Sequence, residues 1–132
     1  MLKPALFAER TNAEMLSGDV SDLTWMRFHD PDEPMFALGG YVDGHLAGFA
    51  HYLFHRSTWA PHRYCYLEDL FVAESARGRG LGRALIGAVY ERAGAASASR
   101  VYWLTHSSNA QARALYDDMA DNLGFIQYRK VL

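Results

Sequence analysis

A glycine- and arginine-rich segment, RGRGLGR at residues 77–83, restricts most strongly what this chain can fold into. It follows the apolar stretch YLEDLFV at residues 66–72 and precedes a stretch with helical periodicity. Backbone N–H groups at the start of a helix have no intrahelical partner and attract anions. Glycines let the backbone approach such an anion, and arginines add charge and bidentate donors. The segment therefore predicts a strand–loop–helix unit that holds a ligand with several phosphates.

The two common nucleotide-binding motifs do not fit this loop. A P-loop continues with lysine and then serine or threonine after its last glycine, but Ala88 and Val89 follow Gly87. The dinucleotide fingerprint requires a third glycine where this chain has Arg83 or Leu85. From the residues alone, two interpretations stay open: a phosphate-binding loop of another kind, and a solvated basic turn.

The second half of the chain predicts alternating helices and strands. Apolar residues recur at helical spacing after the loop, at Leu81, Ala84, Leu85, Ala88 and Val89. The nearly continuous apolar run at 100–105 predicts a strand that is buried on both faces. A second helix is predicted over residues 107–123, with Leu123 on its inner face and Gly124 as its C′ residue. A last strand is predicted over residues 125–132.

The first half predicts a hairpin that is preceded by short elements. An edge strand at residues 2–6 and a helix at 8–16 are plausible, and a further helix at 21–29 has Ser21 or Asp22 as its N-cap. That helix must stop before Pro31. Asp43 and Gly44 predict a two-residue hairpin turn between strands at 35–42 and 45–55. The stretch at 64–72 predicts a third strand, so the expected class is α/β with a mixed sheet.

Composition narrows the function classes. A length of 132 residues predicts one domain over residues 1–132, and a net charge of −2 argues against a general nucleic-acid binder. The single cysteine, Cys65, excludes an intrachain disulfide scaffold, argues against a structural zinc cluster and is expected to be a buried, inert thiol. His51 and His55 share a strand face, but without further ligands they are expected at the surface or lining a pocket, and no metal is expected. No membrane-spanning segment or leader is expected, which predicts a cytoplasmic protein.

A family resemblance resolves the identity of the loop. The pattern R-x-x-G-x-G, met by Arg77, Gly80 and Gly82, resembles the acetyl-coenzyme A pyrophosphate loop of the GNAT superfamily of N-acetyltransferases. The strand before the loop, the spacing to the next strand, Asn109 and Tyr116 agree with it, over residues 35–132. The resemblance implies an α/β fold with a mixed, mostly antiparallel central sheet flanked by helices. The N-terminal region looks shorter than is usual for the family.

The resemblance also implies contacts to acetyl-CoA, which would be the cosubstrate. In the family, the strand before the loop parts from its neighbour, its backbone binds the pantetheine arm, and the loop amides bind the pyrophosphate. Asn109 resembles a cofactor-contacting asparagine, although it is also a good helix N-cap. The implied cofactor-binding residues are Leu70, Phe71, Val72, Arg77, Gly78, Arg79, Gly80, Leu81, Gly82, Arg83 and Asn109.

Glu68 and Tyr116 are the implied catalytic residues. An amine with a pKa near ~10 is protonated at neutral pH, so a base must take up a proton before the amine can attack. The stretch YLEDLFV is similar to the strand of spermidine/spermine N-acetyltransferases, in which the glutamate at the position of Glu68 is the base. Asp69, expected on the opposite face, is expected to be a structural hydrogen-bond partner. Tyr116 resembles the general acid, although a phenol gives up its proton less readily than a thiol.

The sequence therefore predicts an N-acetyltransferase that joins acetyl-CoA and the primary amine of a small molecule in one ternary complex. A homodimer is expected because dimers are common in the family, and neither nucleic acid nor a membrane is an expected partner. Three alternatives stay open: a non-catalytic protein that senses acetyl-CoA, an acetyltransferase acting on protein or peptide amines, and a nucleotide-binding module.

Overall fold

The computed structural model describes residues 18–132, which form a four-stranded mixed sheet with helices on both faces. Its elements are α1 (Gly18–His29), β1 (Met35–Val42), β2 (His45–His55), β3 (Tyr64–Val72), a 3₁₀ turn (Glu74–Ala76), α2 (Leu81–Ala95), β4 (Arg100–Tyr102) and α3 (Ala110–Met119). The strand order is β1-β2-β3-β4, and only the β3–β4 pair is parallel. The predicted class, a mixed and mostly antiparallel sheet, is confirmed. The elements predicted at residues 2–6 and 8–16 lie outside the described residues.

The β1–β2 hairpin turns at the predicted dipeptide. Asp43 and Gly44 have φ angles of 51° and 79°. Positive φ at both central residues is typical of the type I′ turn, whose twist matches that of the flanking strands. The turn thereby pairs Val42 with His45, and a register shift between Gly40 and Tyr41 then displaces the rest of the β1–β2 pairing by one residue.

The main core lies between α2 and the sheet. Ile86 and Val89 of α2 are fully buried, as are Ala50 of β2 and Cys65 of β3. The predicted apolar face of α2 is largely confirmed, although Ala84 is exposed and Ile86 is buried in its place. Removal of this apolar surface from water is the main stabilising term of such a layer. The core therefore holds α2 and the loop before it firmly against β2 and β3.

Helix α1 covers part of the opposite face of the sheet. Its Phe28 is buried and contacts the ring of His51 on β2. The helix ends at His29, before Pro31, as predicted. The predicted N-cap is wrong, because α1 is already helical at Gly18 and Ser21 lies buried inside it. Within residues 18–132, no helix has both the length and the apolar character needed to cross a lipid bilayer.

Three predictions about the C-terminal part are wrong. β4 covers only Arg100–Tyr102 rather than 100–105, and its residues are half-buried or exposed rather than buried on both faces. Helix α3 ends at Met119, followed by an extended Ala120, so Leu123 is 74% exposed and Gly124 is not its C′ residue. Residues 125–132 form no strand in the described structure and stay exposed. An apolar stretch becomes a strand only when it pairs with an edge, and in the described structure residues 125–132 do not pair with the second edge of β4.

Candidate active site

Strand β3 parts from β4 partway along its length. The two strands pair only at residues 64–66 of β3 and 100–102 of β4, whereas β3 pairs with β2 on its other side as far as Val72. From residue 67 onward, the second edge of β3 therefore has no partner strand within the described part of the chain. An open strand edge presents main-chain donors and acceptors to an extended ligand. Leu70, Phe71 and Val72, the predicted pantetheine contacts, lie along this open edge.

The loop that follows β3 leads into α2, and the first N–H groups of that helix have no intrahelical acceptor. Gly80 is the N-cap of α2 in the left-handed conformation, with a φ of 77°, and Gly78 has a φ of 81°. The first hydrogen bond of α2 runs from the N–H of Ala84 to the carbonyl of Gly80, at 3.0 Å, and no side chain caps the helix start. The N–H groups of Leu81, Gly82 and Arg83 precede that bond. This arrangement supplies a converging set of donors with the positive end of the helix dipole, as an anion requires.

The three arginines of the loop have different partners. Arg83 donates to Asp118 of α3 at 2.6 Å, and Arg79 lies 3.5 Å from Asp43 in the hairpin turn. Arg77 is exposed and forms no ion pair with any residue of the described chain. Exposed ion pairs contribute little to stability. Among the described residues, Arg77 is thus the loop arginine without an ion-pair partner, while Arg79 and Arg83 each pair with one exposed carboxylate.

Close packing at Gly82 joins three elements around the site. A Cβ on Gly82 would lie 3.3 Å from Leu115 of α3 and 3.8 Å from Val72 of β3. Tyr116 is the next residue of the same helix. The sequence placed these residues in one site, and the packing brings their elements together.

Tyr116 is half-buried, and its ring meets the edge of Trp103 at 5.4 Å between centroids. Burial raises the pKa of the Tyr116 phenol. A neutral phenol at physiological pH is a hydrogen-bond donor and a poor proton donor. The raised pKa makes full proton donation by Tyr116 harder, and its catalytic role stays a prediction.

Asn109 begins α3 as its N-cap. Its Oδ1 accepts a hydrogen bond from the N–H of Ala112 at 3.4 Å. The capping role weighed from the sequence is thus observed. The contact between Asn109 and the cosubstrate stays a prediction.

A β-bulge interrupts β3 at the two carboxylates. His51 of β2 pairs with Asp69, but the next residue, Tyr52, pairs with Leu67, which leaves Glu68 as the extra residue. A bulge shifts the alternation of side chains by one position. Accordingly, the side chains that face the core are Cys65 and Leu67 before the bulge. After the bulge they are Leu70 and Val72.

The prediction that Glu68 and Asp69 point to opposite faces is therefore wrong. It assumed strict strand alternation, which the bulge removes. Glu68 and Asp69 share two neighbours. The charges of both carboxylates raise the pKa of Tyr66. His51 forms a hydrogen bond with Asp69, and its charge interaction lowers the pKa of Glu68. Partial burial, and then the charge of Asp69, raise the pKa of Glu68 overall. A raised carboxyl pKa is typical of a group that exchanges protons with substrate.

His51 was missed by sequence reasoning, which expected it at a surface or pocket wall. It is 5% exposed, and its Nδ1 lies 3.0 Å from Oδ2 of Asp69. The structural hydrogen-bond role predicted for Asp69 is confirmed. The only sequence signal was a polar residue inside the apolar run GFAHYLF, which does not name its partner. Within residues 18–132, no group of three histidine, cysteine or acidic side chains is placed to hold a metal ion.

A cavity of about 720 Å³ lies between the end of β4, α3 and the chain from residue 120 to 127. Tyr116 lines this cavity, but Glu68 and the loop at residues 77–83 do not. The open edge of β3 and the free loop amides lie elsewhere. The predicted cosubstrate contacts on β3 and in the loop therefore lie outside the lining of this cavity, whereas Tyr116 is part of it.

Known proteins are similar to this chain in sequence and in fold. The family model described as the acetyltransferase (GNAT) family matches residues 4–120. The D-amino-acid N-acetyltransferase HPA3 of Saccharomyces cerevisiae is 36% identical over 114 residues, which are 85% of this chain and 71% of that protein. The L-ornithine N5-acetyltransferase NATA1 of Arabidopsis thaliana is 30% identical over 90 residues, which are 68% of this chain and 40% of that protein.

Among solved structures, AAC(6')-Iy in complex with a bisubstrate analogue of CoA aligns with a TM-score of 0.77 at 20% identity, over 95% of this chain and 90% of that one. That likeness supports the fold. The family uses acetyl-CoA as its cosubstrate, and an open strand edge that ends at free loop amides fits an extended ligand with a pyrophosphate. The chain belongs to the GNAT family of N-acetyltransferases.

Proposed function

We propose that the protein transfers the acetyl group of acetyl-CoA directly to the primary amine of a small molecule, with both substrates bound at once. The observation that carries the proposal is that β3 and the loop after it combine three features of the site. One strand provides a carboxylate of raised pKa at Glu68, an open backbone edge at residues 67–72, and the loop of free amides beyond it. An acceptor amine at Glu68 and a thioester along the open edge would lie side by side, as direct attack requires.

In this proposal Glu68 takes up a proton from the acceptor ammonium, directly or through a water molecule, so that the amine nitrogen gains a free electron pair. The nitrogen then forms a bond to the acetyl carbon, the bond to sulfur breaks, and the second proton that the nitrogen loses passes to the sulfur, so that the products are the amide and the free thiol of CoA. A backbone amide near Phe71 and Val72 steadies the oxygen that becomes negative, and Tyr116 donates a hydrogen bond to the leaving thiolate.

The proposed acceptors are amino acids and related small amines. The two relatives described above act, by their names, on D-amino acids and on L-ornithine. Glu68 and Asp69 give the site two neighbouring carboxylates, which favour a cationic amine. An acetyltransferase acting on peptide amines is the second candidate, and a non-catalytic sensor of acetyl-CoA is the third.

Thiol release from acetyl-CoA tests the proposal. The amine panel holds D- and L-amino acids, ornithine, polyamines, aminoglycosides and peptides. We expect release with at least one small amine, a loss of about 100-fold or more in kcat for Glu68→Gln, and a smaller loss for Tyr116→Phe. Glu74→Gln and Tyr128→Phe are the matched controls, because both side chains are exposed outside the site, and they should retain wild-type rates.

Three results separate the candidates. Acetyl-CoA binding without thiol release for any amine would leave the sensor as the function. Faster release with peptides than with every small amine would select the second candidate. Full activity of Glu68→Gln across about pH 6 to 9 would remove Glu68 from the mechanism.

A further inference from the structure

His51 is a buried histidine that the proposed chemistry does not use. Its side chain is 7% exposed, whereas that of its partner Asp69 is 50% exposed. A polar group is rarely buried without a reason, since removal from water costs free energy unless hydrogen bonds replace those to solvent. The placement of His51 beside the bulge that carries Glu68 therefore asks for an explanation.

The surroundings of His51 fix the direction of its hydrogen bond. Its imidazole lies between Phe49, stacked at 4.6 Å, and Phe28 of α1 at 4.9 Å between centroids. The Nε2 atom has no hydrogen-bond partner among residues 18–132. An ionised carboxylate only accepts, so Nδ1 carries the hydrogen and His51 donates to Asp69 in either charge state of the ring.

The charged groups that interact with His51 among the described residues are Asp69 and Glu68, both on β3. Helix α1 presents Phe28, and β1 presents Ala37 opposite His51. From β3 come Asp69, by its hydrogen bond, and Glu68, by charge interaction. His51 and the two carboxylates thus form one coupled group in an otherwise apolar layer.

The bulge makes this pair mechanically important. Glu68 is the extra residue of β3 and has no residue opposite it on β2, whereas its neighbour Asp69 is paired with His51. A bulged residue is held less firmly by the ladder than its neighbours are. The bond from His51 to Asp69 ties a side chain of β2 to the residue directly after Glu68.

We propose that His51 and Asp69 are a positioning pair for the reaction, in which the Nδ1–H of His51 holds Asp69, fixes the bulge and aims the carboxylate of Glu68 at the acceptor amine. The inference rests on the proposed function, in which Glu68 is the base. The pair also has an electrostatic effect. The charge of Asp69 raises the pKa of Glu68, and His51 opposes that effect. Loss of the donor and loss of the carboxylate must therefore shift the titration of Glu68 in opposite directions.

Three variants separate positioning from packing. His51→Phe keeps an aromatic ring between Phe28 and Phe49 but lacks a donor, His51→Asn restores an N–H near the place of Nδ1, and Asp69→Asn removes the charge. Melting and acetyl-CoA binding are measured first for each variant. The readouts are the pH titration of the Glu68 carboxyl by NMR, and kcat/KM for the best amine as a function of pH.

We expect His51→Phe to move the titration of Glu68 and the acid limb of kcat/KM to higher pH, and to lower kcat about 10- to 100-fold with unchanged acetyl-CoA affinity. Asp69→Asn should move both to lower pH. His51→Asn should recover most of kcat, because its N–H can hold Asp69, but the titration of Glu68 should stay close to that in His51→Phe, because asparagine carries no charge. If Glu68 titrates alike in all three variants, or if His51→Phe performs as well as His51→Asn, the pairing is overturned and His51 is a packing residue. If the titrations shift as expected but Glu68→Gln is fully active, the coupling of His51 and Asp69 to Glu68 is supported, but Glu68 is not the base, and the proposed function fails together with the aiming role.

Discussion

Gly48 of β2 stands so close to β3 that a Cβ on it would lie 2.5 Å from the carbonyl oxygen of Phe71. The contacted atom belongs to the backbone and cannot turn away as the end of a side chain can. Any side chain at position 48 must therefore push β3 outward at the residues predicted to bind the pantetheine arm. The absence of a side chain at Gly48 thus permits the observed position of β3 at Phe71.

Gly48→Ala should accordingly weaken acetyl-CoA binding and destabilise the fold by about 1–3 kcal/mol, the usual range for overpacking. Titration calorimetry and urea unfolding measure the two effects. Gly87→Ala is the control, because a Cβ there meets no atom within 4 Å and the position is inside α2. That variant should gain about 0.5–1 kcal/mol. A Gly48→Ala protein with wild-type affinity and stability would contradict the close approach.

Gly80→Ala should distort the loop amides, because position 80 has a φ of 77° that side chains with a Cβ rarely adopt. The strain is about 1–2 kcal/mol, and acetyl-CoA affinity should fall with it. Gly80→Asn should be milder, since asparagine tolerates left-handed backbone better than alanine does. Calorimetric binding of acetyl-CoA ranks the variants, with Gly94→Ala as a control in α2. Equal affinities for Gly80→Ala and Gly80→Asn would argue that backbone conformation does not matter here.

Glu68→Gln should be more stable than the wild type at neutral pH. Burial and Asp69 raise the pKa of Glu68 above its ordinary 4.5, so the folded state binds that proton more tightly than the unfolded chain does. The stability of the wild type therefore falls as pH rises from 4.5 through the folded pKa. The variant escapes this loss, by up to about 0.5 kcal/mol, because the group is partly exposed.

Urea unfolding at about pH 4 and pH 7 checks the sign, since the advantage of Glu68→Gln should vanish at the lower pH. Glu74→Gln controls for the loss of one exposed negative charge. A variant that is less stable than the wild type at neutral pH but equal to it at low pH would reverse the expected sign.

Cys65 should be unreactive while the protein is folded. It is fully buried, and burial raises the pKa of its thiol to about 12. Because the thiolate is the reactive form, disulfide reagents should label it only as fast as the protein unfolds. Labelling kinetics in native buffer and in urea measure this, with Cys65→Ala as the blank. Rapid stoichiometric labelling of native protein would contradict the burial, and would also add background to thiol-release assays.

The parts of the fold that follow local rules could be predicted from the sequence. Asp43 and Gly44 determine a turn by their own backbone preferences, and the end of α1 before Pro31 has a steric cause. The loop at residues 77–83 was readable because glycines, arginines and helix periodicity appear together. The same holds for Asn109, whose capping role needs no distant partner.

The parts that depend on pairing could not be predicted. A bulge at Glu68 leaves no mark in the sequence, because the carboxylates fill the two positions where the alternation changes and neither is apolar. His51 finds Asp69 only through a register that contains the bulge. Residues 125–132 have the composition of a strand, but composition does not supply the edge that a strand requires.

The parting of β3 from β4 has a consequence for the handling of the protein. Among residues 18–132, the edge of β3 that faces away from β2 has no partner strand at residues 67–72, next to the exposed ring of Phe71. Such an edge invites other chains to pair with it, which is the first step of self-association. An acyl carrier arm lying there would act as a removable protective strand. Concentrated protein solutions should therefore stay clear for longer with coenzyme A than without it. The time until turbidity appears would then report how much of the open edge of β3 is occupied.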